Sequence, residues 1–174
     1  KKYEVVYNPH GEHILRGRFN RLDVPLYSMY PYFCKVTPDD MFIECLDPKI
    51  DLPNIYAVAH TTGGYTVYRT YEHMNMVVDR IGMPCVQIGG KLDKACKNVI
   101  DLRGKLSFRE TAFVMKKAKV AVVIDSFPSH LAGALGTPVV TLFGPAPARV
   151  TKPKAQEGKS INLEPNWLDC CPDM

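Results

Sequence analysis

The sequence predicts a doubly wound, parallel α/β sheet, and three observations carry that expectation. Its apolar runs are short and continuous rather than alternating, as in strands buried on both faces of a helix-covered sheet. These runs alternate with segments of helical spacing, in strand-helix order. Several of them end beside a small or polar residue: His60, Gly89, Asp125 and Gly144 each fall at a strand end or next to one. In such sheets ligands bind outside the carboxyl ends of the strands.

The elements follow in order. Residues 1–50 stand apart: YEVVYNPHGEH suits a strand and its loop, HILRGRFNRLD a short helix, and VPLYSMYPYFCKVTPDD is aromatic and Pro-rich without a period. DPKIDLPN, at 47–54, has the prolines and polar residues of a connector. IYAVAH (55–60) reads as a strand, TYEHMNMVVDRIG (70–82) as a helix stopped at Gly82, and PCVQIGG (84–90) as a strand closed by a glycine pair. NVIDLRGK (98–105) is a short strand and turn. LSFRETAFVMKKAK (106–119) is a helix opened by a capping box, Ser107 with Glu110, with Phe108, Ala112 and Met115 at helical spacing. VAVVID (120–125) is a strand, SHLAGALG (129–136) a helix ended by Gly136, and PVVTLFG (138–144) the last strand. The expected division is a segment of a preceding domain or linker (1–50), the sheet domain (51–150) and a polar, Pro-containing tail (151–174) that crosses back toward the first domain.

Composition narrows the classes. Twenty-two basic against 18 acidic residues give a net charge of +4, which suits anionic small ligands. The basic residues are scattered, so no nucleic-acid partner is expected. No apolar run approaches the roughly 20 residues of a membrane span, and no signal peptide is recognisable, so a cytoplasmic protein is expected. The six cysteines form no CxxC pair and read as buried thiols in a reducing compartment. Cys170 and Cys171, near Asp169 and Asp173, lack a second ligand pair at zinc spacing, and no metal is expected. A first residue of Lys1 rather than Met suggests a piece of a longer protein.

Three corners carry the chemistry. At VIDSFPSHL a strand runs into a helix, with Asp125 or Ser126 as N-cap and Pro128 in the first turn. A helix N-terminus carries about half a positive charge and suits phosphate. Ser126 and Ser129 add hydroxyls, and His130 adds a further donor. The plainer alternative is that Asp125 caps the helix and His130 is an ordinary first-turn histidine. At AHTTGGYTVYR, Thr61 and Thr62 offer hydroxyls, the glycines allow close backbone approach, and Arg69 is the nearest cation. At FGPAPARV, Gly144 and Pro145 end a strand with Arg149 close by.

The run DSFPSHLAGALGTPVVTLFGPAPAR resembles the signature of glycosyltransferase family 9, the heptosyltransferases of lipopolysaccharide synthesis. LSFRETAFVMKKAKVAVVID, VQIGGKLD and HTTGGYTVYRTYEHM are similar to its preceding segments, in the same order, over roughly residues 55–150. The resemblance implies the donor-binding, Rossmann-like half of a GT-B enzyme. Its ligand would be a nucleotide-diphosphate sugar such as ADP-heptose, used as a substrate, with no cofactor and no metal. Transfer would be inverting, to a saccharide or lipopolysaccharide-type acceptor that brings the protein to the membrane surface without a transmembrane segment. In the family the equivalents of Thr61, Thr62, Asp125 and His130, with the turn at Ser126 and Ser129, contact the diphosphate and sugar; Gly89 falls at the family's Gly-Gly turn.

The sequence departs from the pattern in three places. Phe127 replaces a glycine and narrows the approach to the sugar. Thr66-Val67-Tyr68-Arg69 stands where the family has Lys-x-Trp-Pro, leaving Arg69 as the substitute cation. Ala146 replaces a threonine. The family's catalytic base lies in the N-terminal domain and has no match here, so the chain alone is not expected to catalyse transfer, although His10, Glu12 and His13 would line an acceptor cleft. A catalytically silent nucleotide-binding or protein-interaction module is the alternative from another class. Another GT-B relative, such as a nucleotide-sugar 2-epimerase, is the third.

Overall fold

A computed structural model describes residues 42–64, 69–144, 146–155 and 158–165. The readings placed on residues 1–41, on Pro145, on Thr66-Val67-Tyr68 and on the Cys170-Cys171 pair lie outside these.

Six strands form one sheet: β1 (Ala57–His60), β2 (Cys85–Gln87), β3 (Ile100–Asp101), β4 (Val120–Ile124), β5 (Val139–Leu142) and β6 (Ser160–Leu163). Their order is β3-β2-β1-β4-β5-β6, and every pairing is parallel. Four helices connect them: α1 (Met74–Arg80), α2 (Phe108–Lys117), α3 (Phe127–Leu135) and the short α4 (Ala148–Thr151). The doubly wound α/β expectation is met, and right-handed crossovers explain how the helices divide. Leaving β1 leftward puts α1 on one face; crossing back to β4 and on to β5 puts α2 and α3 on the other.

Each face has its own core. Val58, Val86 and Val123 pack beneath Ala112, Met115, Leu131 and Ala132 of α2 and α3. Ala57, Ala59, Cys85 and Val122 pack against Met74 and Val78 of α1. Because neighbouring strand residues point to opposite faces, both sets must be apolar, which is why these strands read as unbroken apolar runs. Each fully buried valine or methionine contributes about 1.5–3 kcal/mol. Tyr56 joins sheet to helix by donating to Val114 O at 2.8 Å.

Differences from the sequence reading are local. α1 begins at Met74 rather than at 70, and α3 begins at Phe127 rather than at 129. The sheet does not end at 144: β6 adds a sixth strand inside the stretch read as a tail, its residues alternately half-buried and exposed. Cys45, Cys85 and Cys96 are free thiols. Among the described residues, no helix is long and apolar enough to cross a membrane.

Candidate functional site

The strand order reverses between β1 and β4, and the crevice beyond their carboxyl ends is where doubly wound sheets bind ligands. The turn after β1 is pressed against the end of β4. A Cβ on Gly63 would lie 2.9 Å from Ile124 Cδ1 and 3.2 Å from Ser126 Cβ, so the approach requires glycine. The chain then returns: Gly63 N donates to Arg69 O, Tyr71 N donates to Thr61 O, and Thr62 bridges Thr70. This return carries Arg69 over the end of β4.

There Arg69 Nη2 lies 3.3 Å from Asp125 Oδ2. The pair borders a cleft of about 70 Å³ whose lining includes Thr70, Tyr71, Phe143 and Gly144. Burial pushes the Asp125 carboxyl above its ordinary value, and the Arg69 charge pulls the other way. His130 is exposed at the next turn of α3; the protein around its ring lowers its pKa, and Asp125 opposes the shift.

The N-terminus of α3 opens beside this cleft. Ser126 is its N-cap, yet its side chain makes no capping hydrogen bond. Pro128 has no N–H and the Ser129 N–H donates to Ser126 O, so the Phe127 amide is the first-turn donor that the helix leaves unused.

The other expected donors are placed differently. Thr61 is buried, donates to Lys94 O at 2.7 Å and accepts from Gln87 Nε2 at 3.4 Å. Thr62 Oγ1 accepts the Lys94 N–H at 3.1 Å. Both threonines therefore hold the loop after β2. Ser129, expected as a hydroxyl donor, is fully buried, and its hydroxyl donates to Ser126 O at 2.8 Å. Gly89, at φ +134°, gives room to Asp93, since a Cβ there would strike the Asp93 carboxylate. Gly144 lines the cleft. Pro145 lies outside the described residues.

Sequence reasoning missed Gln87 and the partners of His60. Gln87, fully buried on β2, donates to Lys94 O and accepts from Cys96 N, both at 2.7 Å. His60, buried at the end of β1, has Nε2 at 3.4 Å from Asp93 Oδ2 and Nδ1 at 3.4 Å from Ser126 Oγ. Burial lowers the His60 pKa, and Asp93 raises it. A polar residue within an apolar strand was the available signal for Gln87; the partners of His60 are 33 and 66 positions away, too distant for any local pattern.

Comparison with known proteins finds heptosyltransferases. The family model of glycosyltransferase family 9 (heptosyltransferase) matches residues 86–171. The lipopolysaccharide heptosyltransferase 3 of Escherichia coli is 32% identical over 68 residues, 38% of this chain and 19% of that protein. Among solved structures, the heptosyltransferase TibC of enterotoxigenic E. coli, in complex with ADP-D-β-D-heptose, is similar with a TM-score of 0.62 and 17% identity over 82% of this chain and 40% of that one. E. coli heptosyltransferase WaaC with ADP gives a TM-score of 0.51 and 21% identity, covering 79% of this chain and 42% of that one. The chain thus spans about two fifths of the length of these solved relatives, and a fifth of the curated one.

Proposed function

We propose, from the match of residues 86–171 to the glycosyltransferase family 9 model, that the strand-end cleft of this chain holds the diphosphate of a nucleotide sugar and serves the donor side of sugar transfer. The observation that carries this is the uncapped N-terminus of α3 opening beside the Arg69–Asp125 pair at the point where the strand order reverses.

The chemistry follows from the groups present. The Phe127 amide, the helix dipole and the Arg69 guanidinium offer positive charge to the diphosphate. That charge matters most as the bond between anomeric carbon and phosphate oxygen breaks and the diphosphate departs. The Asp125 carboxylate accepts hydrogen bonds from sugar hydroxyls, and His130 at the mouth donates to the ligand. The Phe127 ring narrows the sugar's approach. An acceptor hydroxyl, deprotonated by a base outside the donor-binding half, attacks the anomeric carbon from the opposite face and inverts it. Because similar heptosyltransferases are solved with ADP and ADP-heptose, an ADP-sugar is the first donor to test. A lipopolysaccharide-type saccharide acceptor would bring the protein to the cytoplasmic membrane surface.

Calorimetric titration with ADP-, GDP- and UDP-sugars is the test. At least one is expected to bind. Arg69→Ala is expected to weaken that binding ten-fold or more, since a hydrogen bond to a charged group contributes about 1.5–3 kcal/mol. A folded chain that binds none of them is instead the interaction module.

A further inference from the structure

We propose that His60 is a positioning residue whose protonation sets the direction of the Ser126 hydroxyl, so that a diphosphate binding before α3 takes up a proton at His60. This deepens the reading of the cleft as a diphosphate site and rests on it.

The ring has a distinct partner at each nitrogen. A carboxylate only accepts, so Asp93 fixes the hydrogen on Nε2. Asp93 is itself held, for Gly90 N–H donates to its Oδ2 at 2.8 Å and Arg103 donates to its carbonyl. Nδ1 therefore decides what Ser126 can do. In the neutral ring Nδ1 accepts, and the Ser126 hydroxyl donates inward at 3.4 Å. A phosphate arriving at the helix end then meets oxygen lone pairs. In the charged ring Nδ1–H donates to Ser126 Oγ, and the serine proton is released. It turns to Ile124 O, 3.3 Å away, or outward to the anion. The second state also puts a positive charge behind the diphosphate. An anion at this place thus favours the charged ring.

The surroundings make the coupling local. Asp93 faces the ring from the loop after β2, with Arg103 behind it; on that loop Lys94 pairs with Glu72. Across Ser126 stands the Arg69–Asp125 pair, with His130 beside Asp125. Gln87, which is neutral, fills the β2 side. In the free protein, burial keeps the ring neutral near pH 7, so the proton must arrive with the ligand.

The experiment is calorimetry of the full chain with ADP-glucose, whose diester phosphates do not titrate near neutrality, in buffers of different ionisation enthalpy. We expect net proton uptake on binding near pH 7 and affinity rising as pH falls, by at most about ten-fold per unit. His60→Gln should abolish most of the uptake and flatten the profile, with His130 still present in that variant. Ser126→Ala, at a half-buried position, gives a second variant should His60→Gln fail to fold, and should reduce the uptake. Equal uptake in these variants, or none in the parent, overturns the proposal. If no nucleotide sugar binds at all, the diphosphate reading fails instead. The hydroxyl link is then decided by the ¹⁵N titration of His60 in the free protein, which Ser126→Ala must shift if the link is real and leaves unmoved if it is not.

Discussion

Helices α2 and α3 present their N-termini at the same edge of the sheet and begin alike, with an extended serine at the N-cap followed by phenylalanine. They are neighbours there, the rings of Phe108 and Phe127 meeting edge to face with centroids 5.2 Å apart. Yet α2 is closed and α3 is open. Ser107 accepts the Glu110 N–H, and the Glu110 carboxylate accepts the Ser107 N–H at 2.8 Å. Position three of α3 is Ser129, buried and turned back on Ser126 O, while Ser126 Oγ faces His60. A serine N-cap is thus structural or available according to what stands three residues on and what the fold places behind it. At this edge, the closed end is used by the fold and the open end is not.

The largest expected effect falls on what supports the open end. Gly89→Ala forces a side chain into a left-handed backbone and against the Asp93 carboxylate, which Gly90 N–H and His60 hold. A loss of about 2–3 kcal/mol in urea unfolding is expected. An unchanged midpoint would show that the loop moves aside freely and that α3 is not braced from behind.

Asp125→Asn gives a smaller effect of opposite sign. Burial raises the Asp125 pKa, so the folded state prefers the acid. The ionised form therefore weakens the fold at neutral pH, and that cost is relieved as pH falls through the raised value toward the ordinary one, about 3.9. The asparagine variant is expected to melt higher than the parent at pH 7 and to lose that advantage near pH 4, while binding ADP-sugars more weakly. A variant that melts lower at pH 7 would make Asp125 a prop of the fold rather than a group reserved for ligand.

The closed end was the more legible of the two. Ser107 and Glu110 are three residues apart, so the capping box is written locally, as are the apolar strands and the stop at Gly136. The open end depends on contacts between distant segments. Nothing in HTTGG says that Thr61 and Thr62 will be taken up by Lys94, or that His60 will meet Asp93 and Ser126. Ser129 and Ser126 look equivalent in DSFPSH, and only the direction of the first helical turn buries one and leaves the other half-exposed. The strand Ser160–Leu163 escaped notice because an edge strand needs little apolar surface. Its polar Ser160 and Asn162 pair in register with Val139 and Thr141 through backbone alone.

The smallest effect tests the comparison most directly. Ser107→Ala removes a formed cap and should lower stability by about 1 kcal/mol, with ADP-sugar affinity unchanged. Ser126→Ala removes no cap, since none is formed, but loses the 3.4 Å contact with His60, and should cost less than Ser107→Ala while reducing affinity. The two substitutions delete the same atom from the same helical position at the same edge, so their difference cancels propensity and reports what each hydroxyl does. Equal losses of stability would mean that Ser126 caps α3 in solution after all. The helix end would then be occupied by its own side chain, and a diphosphate would have to displace it. Unequal losses, with binding affected at α3 alone, would separate a hydroxyl used by the fold from one left for the ligand.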